Sequence, residues 1–172
     1  MPDRPDYAAL TRGQIAILGR VDSGDAGLDV LEQLVRLAEE TLGAGGAGFA
    51  EYASDHGRII AATGVCAPAL GRRTRQLLIG PVRDEFAGLI EGDDARYTLG
   101  TRCASGGTVF GSLHVYFDAE PGHEHVTVLE LLAAFIGRVY RLRAGLPTHG
   151  EPAPEEVRRD ADRDLWVAVT SH

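Results

Sequence analysis

Residues 108–142 read TVFGSLHVYFDAEPGHEHVTVLELLAAFIGRVYRL, and the fold turns on how this stretch divides. The first ten residues alternate. Leu113, Val115 and Phe117 share one side of an extended chain, while Ser112, His114 and Tyr116 point the other way. DAEPG then turns the chain, and the period lengthens. Val128, Leu132, Phe135, Val139 and Leu142 recur at helical spacing, which predicts a helix over about 124–144, ended by Gly145 and Pro147.

Upstream, RYTLGTRCA and TVFGSLHVYF flank Ser105-Gly106-Gly107, so the strand has a hairpin partner. FAEYA and RIIAATG around Asp55-His56-Gly57 read as a second hairpin, with strands near 47–53 and 58–63. Between the hairpins, Pro68, Gly71, Gly80, Pro81 and Gly88 break the chain into an irregular crossover, with helical turns expected at 72–79 and 83–90. Two helices precede the strands. One spans about 7–20. The other carries Leu28, Leu31, Val35, Ala38 and Leu42 at heptad-like spacing, with Asp25 as N-cap and Gly43 as the left-handed stop. Hairpins bracketed by helices predict an α+β fold: a mainly antiparallel sheet with the helices packed on one face. The wide apolar faces of the helices could also pair with a second copy, so a homodimer is expected. Residues 1–145 read as one domain. Residues 146–172 read as a Pro-rich, charged, linker-like tail, possible sites of order being a short helix from Pro154 or a strand at DLWVAV.

The 172 residues suffice for one domain with a full core. Seventeen arginines and no lysine face 25 acidic residues, a net charge of −8 that disfavours nucleic acid as a partner. No apolar run approaches the roughly 20 residues of a membrane span. The opening MPDRPDYAAL does not read as a signal peptide, so the expected location is the cytoplasm. Two cysteines, Cys66 and Cys103, suit a reduced compartment.

With these elements in place, the chain resembles a GAF domain over about residues 20–145. The resemblance is carried by LDVLEQLVRLAEETLGAGGAGFAEY, RIIAATG and VFGSLHVYF…VTVLELLAAFIGRVYRL. It implies a small-molecule sensor with a dimerising helix layer on one face of the sheet and a crossover-roofed pocket on the other. An output-domain protein would be its partner. The sequence departs from the cyclic-nucleotide branch, lacking its Asn-Lys-x-x-x-Phe-x-x-x-Asp-Glu motif. It departs from the bilin-attaching branch too, since Cys66 is followed by Ala67-Pro68 and not by histidine.

The span 113–132 holds three histidines and four carboxylates, but the pattern does not read as a metal site. His123 and His125 stand two apart and diverge by roughly 200° at a helix start, where metal ligands must converge. HEH reads instead as a solvated helix start, and no metal is expected. His114 lies mid-strand with Ser112 and Tyr116 on the side away from the apolar stripe. It reads as a satisfied sheet histidine, a ligand contact, or an axial haem ligand, haem being the one cofactor left open. Cys66 and Cys103 read as small hydrophobes or as a redox pair; GVC at 64–66 only superficially resembles the thiol-dependent methionine sulfoxide reductases of this fold. Arg72, Arg73, Arg75 and Arg83 form the one basic concentration and would suit a small anion. The expected ligand-binding residues are Cys66, Arg72, Tyr97, Cys103, Ser112, His114 and Tyr116. No catalytic residue is expected. The alternative is a thiol- or haem-dependent redox enzyme on the same fold.

Overall fold

The computed structural model describes residues 3–24, 28–53, 56–74 and 97–140, with the backbone of 141–143 and Trp166–Val169. The first helix, α1 (Tyr7–Asp22), starts at Asp6, whose carboxylate accepts from Ala9 N–H at 2.9 Å. The second, α2 (Leu28–Leu42), stops at Gly43, which takes φ 64°. Its expected N-cap, Asp25, lies outside the described residues. Strands β1 (Gly46–Tyr52) and β2 (Gly57–Gly64) pair antiparallel. A 3-10 turn at Ala67–Ala69 leads to β3 (Arg73–Thr74).

The helical turn expected from residue 72 is therefore not helical where it is described. Arg73 and Thr74 pair with Arg58 and Gly57, trading a local turn for a sheet contact. The rest of the crossover lies outside the described residues. Strands β4 (Tyr97–Ser105) and β5 (Thr108–Phe117) form the second hairpin, joined by Gly106 and Gly107 at φ 59° and 82°. A two-residue turn with both φ values positive fits the natural strand twist, and glycine is the residue that tolerates it. The last helix, α3 (His123–Arg143), follows. Within the expected tail, Trp166–Val169 form β6.

The sheet runs β3-β2-β1-β5-β4-β6, and every pairing is antiparallel. Behind it α2 lies over β1 and β2, α3 lies over β4, and α1 packs outside them, chiefly on α2. Phe49, Leu99, Leu113, Val115 and Phe117 from the sheet join Leu31, Leu34, Leu42, Leu129, Leu132 and Ile136 from the helices in one buried cluster. A fully buried side chain of this size contributes about 1.5–3 kcal/mol, so these contacts hold the layers together. At Gly137 the helix meets β4 backbone directly: a methyl group there would collide with the Ala104 carbonyl oxygen.

The HEH stretch differs from expectation in one member. His123 is exposed, but His125 is only 4% exposed, because the segment before α1 folds across the start of α3. Gly122 N–H donates to His125 Nδ1 at 3.0 Å. That leaves Nε2 to carry the proton and donate to the Asp3 carbonyl at 2.9 Å. Arg4 grips Glu124 through two bonds of 2.9 and 3.1 Å, and Asp6 N–H donates to the Thr41 carbonyl at 2.8 Å. Contact with the Arg4 guanidinium lowers the Glu124 pKa. HEH is a clasp for the N-terminal segment. Among the described residues, no group of three potential ligands could hold a metal ion.

Candidate functional site

Residues paired across an antiparallel sheet share a face, so the register builds the surface opposite the helices row by row. One row runs Gly64, Gly46, Tyr116, Thr98. The next runs Ala62, Gly48, His114, Gly100. The third runs Ile59, Ala50, Ser112, Arg102. His114 thus stands between two glycines, which leave its ring unflanked by side chains in its own row. At the β2 end, Ala50, Ile59, Cys66, Ala69 and Tyr116 form a second, smaller apolar cluster.

The polar side chains of this face are withdrawn from solvent. Thr98, Ser112 and His114 are fully buried, Tyr116 nearly so, and Arg102 is 9% exposed. His114 Nε2 and Ser112 Oγ lie 3.0 Å apart in a hydrogen bond. Desolvation holds the His114 imidazole down to a pKa of about 3, so it is neutral at physiological pH. No carboxylate occupies the three rows to offset that burial. The Thr98 hydroxyl is buried with no hydrogen-bond partner among the described residues. An orphaned hydroxyl costs about 1–3 kcal/mol of desolvation, and such a cost is commonly carried at functional sites.

Four of the seven expected residues come together on this side: Cys66, Ser112, His114 and Tyr116. Arg72 is exposed beside them, its backbone bonded to Ala69 and Ile59, and Arg73 is exposed next to it. Arg75 and Arg83 lie outside the described residues. Tyr97 and Cys103 are a correction. They pair with Phe117 and Gly111, in register with Leu113 and Val115, and so face the helices, where Cys103 is fully buried in the main core.

The reason is a bulge. Cys103 pairs with Gly111 but Ala104 pairs with Val109, leaving Phe110 as an extra residue in β5. Counting from the Gly106-Gly107 turn without that extra residue puts Tyr97 and Cys103 on His114's face. With it, Thr98 and Arg102 take their place. A single-residue shift exchanges the two faces of a strand. Thr98 and Arg102 are the functional candidates that sequence reasoning missed, and the register at the bulge was the signal needed.

The cysteines are buried on opposite faces of the sheet and are not joined by a disulfide, so this arrangement does not bring them together as a pair. Burial drives the Cys103 thiol far above its ordinary range, away from the thiolate that nucleophilic chemistry needs.

No family model and no curated protein matches the sequence. Solved structures do match. The GAF domain of an Acinetobacter phosphoenolpyruvate-protein phosphotransferase superimposes with TM-score 0.62 at 16% identity, over 80% of this chain and 95% of its own. The phycoerythrobilin-bound GAF domain of a cyanobacterial phytochrome also gives 0.62, at 9% identity, over 81% and 98%. The GAF domain of the Coxiella burnetii phosphoenolpyruvate-protein phosphotransferase gives 0.53 at 19% identity, over 82% and 99%. An antiparallel sheet with helices on one face, matched over nearly the whole length of these domains, defines the class. The chain has the GAF-domain fold.

Proposed function

We propose that this chain is a sensory module that holds a small molecule against the sheet face bearing Thr98, Arg102, Ser112, His114 and Tyr116. The observation that carries the reading is the burial of five polar-tipped side chains on the face turned away from the helix core, one of them an orphaned hydroxyl. A sheet that needed only to pack would place apolar residues there. Neutral imidazole, hydroxyl and phenol groups would orient a ligand through directional hydrogen bonds, and Gly48 and Gly100 would let it approach the backbone. Cys66 would supply an apolar wall.

The GAF neighbours support a sensory role by analogy. One is bilin-bound, and two belong to phosphotransferases. Occupancy of the sheet face would act on the helix layer by favouring one arrangement over another. The dimer expected from the sequence would form through that layer, where Ile15, Leu28 and Leu131 stand 67%, 56% and 52% exposed. An output-domain protein would receive the signal. Residues 1–145 would form the body of the sensing domain, and the remainder a tail that contributes Trp166–Val169 to its sheet. Among the described residues, no helix is long and apolar enough to cross a membrane, and the cytoplasm is the proposed location.

Native mass spectrometry of the purified chain, followed by a thermal-shift screen of small metabolites, tests the reading. A ligand held at 100 times its dissociation constant adds about 2.7 kcal/mol of stability. Binding that survives Thr98→Val, Ser112→Ala and His114→Gln unchanged would refute the assignment of the face.

A further inference from the structure

The β4 strand is nine residues long and its outer edge is guarded in two different ways. Along Thr101–Ser105 the strand carries the charged Arg102 and the close packing of Gly137 on the Ala104 carbonyl. Charges and covering helices are among the usual means of blocking unwanted strand pairing. Along Tyr97–Gly100 none of these is present. That half is met instead by β6, whose register is Val169 to Tyr97, Ala168 to Thr98, Val167 to Leu99 and Trp166 to Gly100. β6 is only four residues long, and 22 residues separate it from the end of α3.

We propose that the Tyr97–Gly100 edge of β4 is a strand-acceptor site, filled in cis by Trp166–Val169 and open by exchange to the same segment of a second copy. The chemistry it accepts is an extended apolar peptide, bound by main-chain pairing. A second copy offers an identical WVAV in the same register, and a short strand makes few bonds that must break before exchange. The pairing also extends the candidate site's own rows: Trp166 continues Gly48–His114–Gly100, and Ala168 continues Gly46–Tyr116–Thr98. The inference rests on sheet register alone and stands whether or not the face binds a small molecule.

Hydrogen exchange read by mass spectrometry on the full chain tests it. Peptides covering Tyr97–Gly100 are expected to be protected in the wild type, and exchange there at the rate of an open edge would overturn the proposal without any variant. Adjacent amides point to opposite sides of a strand, so of Val167→Pro and Ala168→Pro one must remove a β4-facing donor. That variant is expected to exchange at least tenfold faster at Tyr97–Gly100 while β1 and α3 keep their protection. A fluorescein-labelled peptide spanning residues 164–171 is then added in trans. It should bind that variant saturably, raise its anisotropy and restore the lost protection. Unchanged exchange in both proline variants, or no peptide binding to the variant with the opened edge, would sink the acceptor site.

Discussion

His114 makes the folded protein sensitive to acid in a way that can be worked out in advance. Burial lowers its pKa from the ordinary 6.5 to about 3. Below pH 6.5 the unfolded chain takes up a proton at this position, and the folded chain does not until about pH 3. The unfolded state therefore binds more protons throughout that window, and stability falls as pH falls, by about 1.4 kcal/mol per pH unit. Above pH 7 both states hold a neutral ring and the contribution is flat. At pH 5 the loss is about 2 kcal/mol, a sizeable fraction of the roughly 5–15 kcal/mol typical of a domain.

The charged group nearest in the register, Arg102 in the adjoining row, is a cation, so nothing in the three rows favours an imidazolium. The assay is urea denaturation of wild type and His114→Gln at pH 7.0, 6.0, 5.5 and 5.0. Glutamine keeps a polar group near Ser112 but cannot titrate. Its packing cost is a constant offset, so the difference between the two curves isolates the histidine from the five others in the chain. The wild type should lose about 2 kcal/mol more than the variant between pH 7 and 5. Parallel curves, or a His114 ring resonance titrating near pH 6.5, would refute the buried neutral imidazole and with it the desolvated site.

Thr98→Val replaces an orphaned buried hydroxyl with a methyl of the same shape, so the unliganded protein should gain about 1 kcal/mol, read as a melting temperature roughly 2–4 °C higher. A loss of stability would mean that the hydroxyl is bonded. Alanine at two helical glycines should have opposite effects. Among the described residues Gly19 has nothing within 4 Å of a new methyl, so Gly19→Ala should stabilise by up to about 1 kcal/mol through helix propensity. Gly137→Ala would drive a methyl into the Ala104 carbonyl and should cost about 1–3 kcal/mol by chemical denaturation, with equal effects at the two sites refuting the α3–β4 contact. Ile15→Glu places a charge on an exposed apolar position of α1, and light scattering should show a wild-type dimer becoming a monomer, while an unchanged mass would move the interface elsewhere.

What the sequence discloses here follows from which interactions are local. The helices were legible because Leu31 to Leu42 and Val128 to Val139 each repeat on one face, and burial follows that stripe, Leu28 at the helix start alone staying exposed. The β5 faces were legible because alternation is a property of one strand: Leu113, Val115 and Phe117 do join the helix core, and Ser112, His114 and Tyr116 do not. The facing of β4 was not legible, because it depends on a relation between two strands. Nothing in YTLGTRCA says which parity meets His114, and the glycine turn alone predicts the wrong one. Phe110 decides it. It packs against Phe49 and stacks on Tyr140 at 3.8 Å between ring centroids, with Tyr140 anchored to Glu51 at 3.0 Å. Those partners come from β1 and α3, distant in sequence, and they favour seating Phe110 in the helix core over keeping an unbroken ladder. The clasp of Asp3 on His125 was illegible for the same reason, since its two ends lie 122 residues apart. The chemistry of the candidate face is thus set by packing on the opposite one: the aromatic stack that fixes the bulge also decides that threonine and arginine, not tyrosine and cysteine, stand beside His114.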